Sequence, residues 1–198
     1  MCAKYAERKR TMERIEKMHK GDLPVGFEAW DNAIKDCDKI IKFAEDNGFH
    51  SSYELVDGMN IVTENRQSKT SYIPMFDFGN PDPIFNMNKR VWQEMNEYAT
   101  RWEAPFYNIE QVSIQRYYPG DEYHVHYDHG AENQRVISAL VYLNTVEEGG
   151  ETYFPEFDLK VKPVEGRLIV FPSNFIYRHA ALTPEHGVKY AAAFWANG

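Results

Sequence analysis

His126-Tyr127-Asp128 is the segment of this 198-residue chain best suited to grip a metal ion. Side chains two apart along a strand share a face, so His126 and Asp128 can bite one cation together. His179 opens a later β-rich run and offers a second imidazole from a distant part of the chain. Two imidazoles and one carboxylate form the facial set of non-haem Fe(II) oxygenases, which leaves coordination positions open. A bidentate 2-oxo acid can take two of them and O₂ the last. His124 and His129 crowd the same run, and a His124/His126 pair would suit zinc instead. Spacing alone leaves that choice open.

Lys189 adds a second chemical element. It follows His179 by ten residues within Val188–Ala196, where alternation puts Lys189, Ala191, Ala193 and Trp195 on one face. An ammonium facing a protein interior needs an anion, because an unpaired buried charge is costly. The two alanines leave room for a small ligand. The distal carboxylate of 2-oxoglutarate would meet both demands. The competing arrangement is a lysine turned to solvent, with the alanines packed on a helix.

Such residues must be brought together by a β-rich scaffold, and the second half of the chain supplies one. Short runs with turn signals between them begin near Glu110: Gln111–Tyr118, Glu122–His129, Arg135–Leu143, Glu151–Phe154, Leu159–Val161, Arg167–Phe171, His179–Leu182 and Val188–Ala196. About eight short strands at this spacing predict an antiparallel sandwich or barrel. In the first half, apolar residues from Phe27 to Asn47 fall near helical spacing, and a second helix is expected over Asn88–Trp102 with Val91, Met95, Tyr98 and Trp102 on one stripe. A short strand near Asn60–Thr63, a polar loop from Glu64 to Thr70 and a turn at Asn80–Asp82 lie between. Residues 1–22 read as a polar extension, 23–109 as helical support with a substrate loop, and 110–198 as the core of one folded domain.

Composition bounds the partners. The hydrophobic fraction of 43%, with 12 Phe and 13 Tyr, is enough for a core and favours β-structure. A net charge of −8 argues against nucleic acid as partner, since phosphate neutralisation needs a basic surface. No segment reaches the ~20 apolar residues of a membrane span, so no membrane partner is expected. Cys2 and Cys37 are the only cysteines, and no apolar signal region occurs at the N-terminus. Together these suggest a reducing compartment, the cytoplasm.

One ordered set of motifs resembles the catalytic domain of prolyl 4-hydroxylases. It comprises Tyr118-Pro119-Gly120, His126-x-Asp128, Tyr142-Leu143-Asn144, Gly149-Gly150-Glu151-Thr152-x-Phe154-Pro155, Pro163-x-x-Gly166, Phe171, His179, and Gly187-x-Lys189 through Trp195. It spans about Glu110–Gly198, and the front half matches loosely. The resemblance implies an α+β, mainly β fold: a double-stranded β-helix (jelly-roll) with N-terminal helices packed on one sheet. It implies His126, Asp128 and His179 as iron ligands and catalytic centre, and Lys189 with Tyr118 and Tyr142 around 2-oxoglutarate. Tyr123, Arg135 and Trp195 are then the substrate contacts. Arg135 and Tyr142 have opposite strand parity, so Arg135 can share the inward direction only at the rim or beyond a bulge. Asn197 departs from members that carry a histidine at that position.

The implied reaction hydroxylates a peptidyl proline with O₂ and 2-oxoglutarate and releases succinate and CO₂, with ascorbate restoring oxidised iron. Two other readings stand beside it. One is an oxygenase acting on a free amino acid or another side chain; the other is a non-catalytic metal-binding jelly-roll. The region Tyr53–Pro83 is expected to form the substrate lid.

Overall fold

The computed structural model describes residues 23–52, 54–56, 59–75, 79, 81–130 and 134–198. The expected N-terminal extension, 1–22, lies outside the described residues, as do parts of the expected lid. The chain runs through β1 (Glu28–Trp30), α1 (Cys37–Asn47), β2 (His50–Ser51), β3 (Glu54–Val56), β4 (Met59–Ile61), β5 (Lys69–Ile73) and α2 (Asp82–Trp102). It continues through β6 (Asn108–Ile109), β7 (Val112–Tyr117), β8 (Tyr123–His126), β9 (Arg135–Tyr142) and β10 (Thr152–Phe154). The last strands are β11 (Leu159–Val161), β12 (Leu168–Pro172), β13 (His179–Ala181) and β14 (Lys189–Asn197).

The strands form an antiparallel jelly-roll. The major sheet has the order β1-β12-β9-β14-β7-β5-β2, with β6 added to β14, and the minor sheet has the order β11-β10-β13-β8. β3 and β4 make a separate hairpin. The strands of the second half fall where the alternation predicts them, to within a few residues at each end.

Each long strand of the major sheet is two-sided because its side chains alternate. Ile137, Ala139 and Val141 of β9, Leu168 and Val170 of β12, and Ala192, Phe194 and Ala196 of β14 pack against the helices. The helices answer with Cys37, Ile40 and Ala44 of α1 and Ile84, Met87, Val91, Met95 and Tyr98 of α2. That α2 set recurs every three or four residues, the stripe of a helix with one buried face. The opposite parity gives a second core between the sheets, where Phe27, Phe154, Ile169, Phe171 and Tyr177 cluster.

Three expectations for the first half change. Phe27–Asn47 is not one helix: Glu28–Trp30 pairs with β12, and the helix starts at Cys37. Phe27 therefore joins the inter-sheet core, its ring 5.4 Å from that of Phe154. The second helix begins at Asp82 rather than Asn88, with proline in its first turn, where a missing N–H costs nothing. The polar stretch Glu64–Thr70 is not a free loop. Gln67 N–H donates to Glu122 C=O and His124 N–H to Asn65 C=O, so it straps the outer edge of β8.

The turn entering β10 depends on Gly149. Its φ is +74°, and an added Cβ would lie 2.5 Å from the carbonyl oxygen of Thr183. Gly149→Ala should therefore destabilise the chain by roughly 1–3 kcal/mol from left-handed backbone strain alone, measured as a lowered urea midpoint with unchanged m-value.

Candidate active site

β8 and β13 are neighbours in the minor sheet, and His126 stands opposite His179 on one rung. Their ring centroids are 4.4 Å apart. Asp128 lies just past the end of β8, at a bend rather than in the strand. Its Oδ1 is 3.8 Å from His126 Nε2 and its Oδ2 is 3.8 Å from His179 Nε2. Among the described residues this trio is the one group of histidine, cysteine and carboxylate side chains placed to hold a metal, with ligand atoms all within 4.8 Å of one another.

The remaining bonds suit that task. His126 Nδ1 is 2.8 Å from the His124 carbonyl, and His179 Nδ1 is 3.1 Å from that of Tyr177. A carbonyl only accepts, so each Nδ1 carries the proton and each Nε2 is left with its lone pair toward the metal position. Burial lowers the His126 pKa to about 3, with His179 adding to the effect. The ring stays neutral, as a ligand must. For Asp128, burial alone would raise the carboxyl pKa. The charge of His179 and His126 when protonated, then Arg135 and the Ser138 hydroxyl, outweigh it and hold the group below its ordinary value.

A β-bulge settles which histidine points inward. Tyr123 pairs with Ala181 and His126 with His179, so three steps along β8 match two along β13. The bulge reverses the phase of alternation. Tyr123 and His126 consequently share a side, their rings stacked at 3.6 Å. His124 is turned out, half-exposed, with Nε2 3.1 Å from Glu122. His129 instead bonds the Arg135 carbonyl at 2.8 Å. Neither completes a His-x-His zinc pair.

Down the cleft from the trio, Lys189 is 1% exposed. Its Nζ lies 5.2 Å from the Tyr117 ring centroid and 5.7 Å from that of Tyr142. No carboxylate of the described residues comes within ion-pair distance of it. Burial lowers its pKa to about 7, with Glu151 pulling weakly the other way. The cleft is lined by Gln115, Tyr117, Leu140, Thr152 and Ala181 as well as by the trio and Lys189. A small dicarboxylate fits this chemistry: one end beside the metal position, the other on a buried cation.

Two of the expected contacts shift. Tyr118 does not line the cleft: it is 45% exposed, and its ring faces Arg116. Its neighbour Tyr117 takes the inward place because β7 pairs Tyr117 with Lys189. Tyr142 is fully buried behind the wall, with its hydroxyl donating to Thr152 Oγ1 at 2.8 Å. It meets the cleft only through Lys189 and Thr152.

Tyr123 and Trp195 line the mouth, and the Arg135 guanidinium carbon sits 4.1 Å from the Trp195 ring centroid. Arg135 faces in through a second bulge, where Ala196 pairs with Ile137 but Asn197 with Arg135. Glu110 holds two of its nitrogens at 2.8 and 2.7 Å. Asn197 sits on the same rung and donates to Asn108. Gln115, Tyr117, Ser138 and Ser173 escaped the sequence reading, and Thr152 entered it only as part of a motif. The parity of β7 and its pairing with β14 would have found the first two.

An antiparallel jelly-roll with two imidazoles and a carboxylate at its mouth, and a buried cation deeper in, defines the class of Fe(II)/2-oxoglutarate oxygenases. Residues 112–197 match the model of the 2OG-Fe(II) oxygenase superfamily. A protein of Acanthamoeba polyphaga mimivirus assigned as a prolyl 4-hydroxylase is 28% identical over 179 residues, 80% of this chain and 68% of that one. Prolyl 4-hydroxylase 13 of Arabidopsis thaliana is 36% identical over 126 residues, and the chain spans 45% of its length. The viral collagen prolyl hydroxylase of Paramecium bursaria Chlorella virus-1, solved as a 2OG complex, superposes with a TM-score of 0.68 at 28% identity, covering 86% of this chain and 95% of that one. The matched segment resembles the 2OG-Fe(II) oxygenase superfamily, and over more of its length the chain is similar to prolyl 4-hydroxylases. The trio and the buried Lys189 fit the Fe(II) and 2-oxoglutarate that the matched family's description carries, with O₂ as oxidant.

Two outcomes follow from this geometry. Under anaerobic conditions with Fe(II) and 2-oxoglutarate, the chain should develop the visible metal-to-ligand charge-transfer band, and His126→Ala or Asp128→Ala should abolish it. The pH dependence turns on Lys189. A bound carboxylate favours the ammonium form, whose pKa in the empty cleft is near 7. Binding therefore takes up a proton above that pH. Cosubstrate affinity, followed by calorimetry, should fall between pH 7 and 9 by up to about tenfold per unit, and Lys189→Met should flatten the slope.

Proposed function

We propose that the chain hydroxylates a prolyl residue in a peptide or protein, consuming O₂ and 2-oxoglutarate and releasing succinate and CO₂. The observation that carries the reading is the trio His126, Asp128 and His179 sharing one cleft with an ammonium that, among the described residues, has no carboxylate within ion-pair distance. Fe(II), when bound, supplies the oxidising power that breaks a substrate C–H bond.

The chain's own part is binding, orientation and exclusion. His126, Asp128 and His179 hold the iron. Lys189 holds the distal carboxylate, steadied by the faces of Tyr117 and Tyr142. Leu140, Ala181, Ala191 and Ala193 keep the cleft narrow and largely apolar, which limits water. Tyr123, Arg135 and Trp195 stand at the mouth, where a substrate must pass. With two nitrogens engaged by Glu110, Arg135 keeps Nη1 for a peptide carbonyl. Ascorbate serves as reductant for iron oxidised in unproductive cycles.

Residues 110–198 form the catalytic core in this reading. Residues 23–109 buttress it and contribute the lid, and the whole acts as one domain. No helix of the described residues is long and apolar enough to cross a membrane. Cys37 is a free, buried thiol, which accords with a cytoplasmic setting.

Incubation with a library of proline-rich peptides, Fe(II), 2-oxoglutarate and O₂ should add one oxygen to proline in a subset, read by mass spectrometry. Oxygen addition to a free amino acid or another side chain, with every prolyl peptide untouched, would overturn the prolyl assignment. Lys189→Ala should weaken 2-oxoglutarate binding by about 10- to 100-fold, the scale of a charge-assisted hydrogen bond.

A further inference from the structure

The Asp128 carboxylate lies almost symmetrically between the two imidazoles, each of its oxygens 3.8 Å from one Nε2. Nothing in that placement decides whether one oxygen or both would meet a metal. Ser138 breaks the symmetry. Its Oγ donates to Asp128 Oδ2 at 2.6 Å, and it lies 2.8 Å from the Oγ of Ser173. Both serines are 1% exposed, so water does not compete for these bonds.

The proton order is fixed by inventory. An ionised carboxylate only accepts, so Ser138 donates to Asp128 and Ser173 donates to Ser138. Ser173 is itself anchored: its N–H donates to Val136 C=O at 3.1 Å, and its C=O accepts from His129 N–H at 2.9 Å. The chain of hydroxyls thus starts from fixed backbone and ends on a single carboxylate oxygen. A short O–H···O⁻ bond draws electron density on that oxygen toward the proton and weakens it as a metal donor.

Resting on the oxygenase reading above, we propose that Ser138 is a positioning residue that keeps Asp128 a one-oxygen ligand through Oδ1, reserving a coordination position for O₂. The count makes this consequential. Two imidazoles and a chelating carboxylate would take four positions of an octahedral ion, and 2-oxoglutarate the other two. A one-oxygen Asp128 leaves three, enough for the cosubstrate and one diatomic molecule. Ser138 is the third residue after Arg135 on β9 and faces inward by regular alternation with Leu140, while the bulge between Ile137 and Arg135 lets Arg135 share that direction.

The test uses nitric oxide as an unreactive stand-in for O₂, with anaerobic wild-type protein, Fe(II) and 2-oxoglutarate. Wild type should show the charge-transfer band and a high-spin nitrosyl signal by electron paramagnetic resonance. Ser138→Ala should keep the band but lose nitric oxide affinity by at least about tenfold, within the range for residues that orient metal ligands. Ser138→Thr, which retains the hydroxyl, should restore it. Ser173→Ala, which leaves the Ser138 donor in place, should give a smaller loss of the same sign and keeps the test open if Ser138→Ala does not fold. Nitric oxide binding unchanged in Ser138→Ala with the band intact would overturn the role of Ser138 and leave the oxygenase reading standing. Loss of the band in Ser138→Ala, unrestored by Ser138→Thr, would also overturn it. Absence of the band in wild type would remove both.

Discussion

His126 and His179 face one another across a single rung of antiparallel sheet, and the metal position exists only while β8 and β13 keep that register. Directly opposed residues bring their Cβ atoms to about 5 Å, which is what lets two imidazoles from distant segments reach one ion. A slip of one residue would turn His126 outward and bring a neighbour inward. The fold guards against it at several points. The strap at residues 65–67 hydrogen-bonds the outer edge of β8. The β8 bulge fixes the phase of alternation, and Ser138 ties Asp128 to the opposite sheet.

The major sheet makes the far wall of the cleft rigid by using both of its faces. Along β14, Ala192, Phe194 and Ala196 are locked against the helices, while Lys189, Ala191, Ala193 and Trp195 face the cleft. A side chain on the inner face cannot move far without disturbing its neighbours on the outer one, because interiors are close-packed. The helices of the first half thus bear on cosubstrate geometry although they contribute no cleft residue. The same alternation explains why small side chains sit beside Lys189: they form the floor under a bound ligand.

Much of this was legible in the sequence, and the gaps have physical causes. The strands from Glu110 onward are visible because turn residues punctuate them. The spacing of His126, Asp128, His179 and Lys189 suggested their chemistry before any fold was known. Alternation alone could not say that Tyr117 rather than Tyr118 faces Lys189, since that depends on how β7 pairs with β14. It also favoured His124 as much as His126, because a bulge leaves no mark in a run such as Tyr123–His126. Arg135 was readable as an exception that required either a place at the rim or a bulge, and a bulge is present. Phe27–Trp30 looked helical by spacing; an edge position on β12 and the inter-sheet core claimed it instead. Ser138 and Ser173 carried no signal at all, since a buried serine resembles any small core residue until its partners are known.

The buried ammonium of Lys189 has a consequence beyond the reaction. Among the described residues its burial is offset by no carboxylate within ion-pair distance, so an anion bound beside it should stabilise the native fold. A ligand that binds only the native chain adds about 2.7 kcal/mol at a hundredfold excess over its dissociation constant. The filled cleft should therefore also make the chain harder to open and to digest.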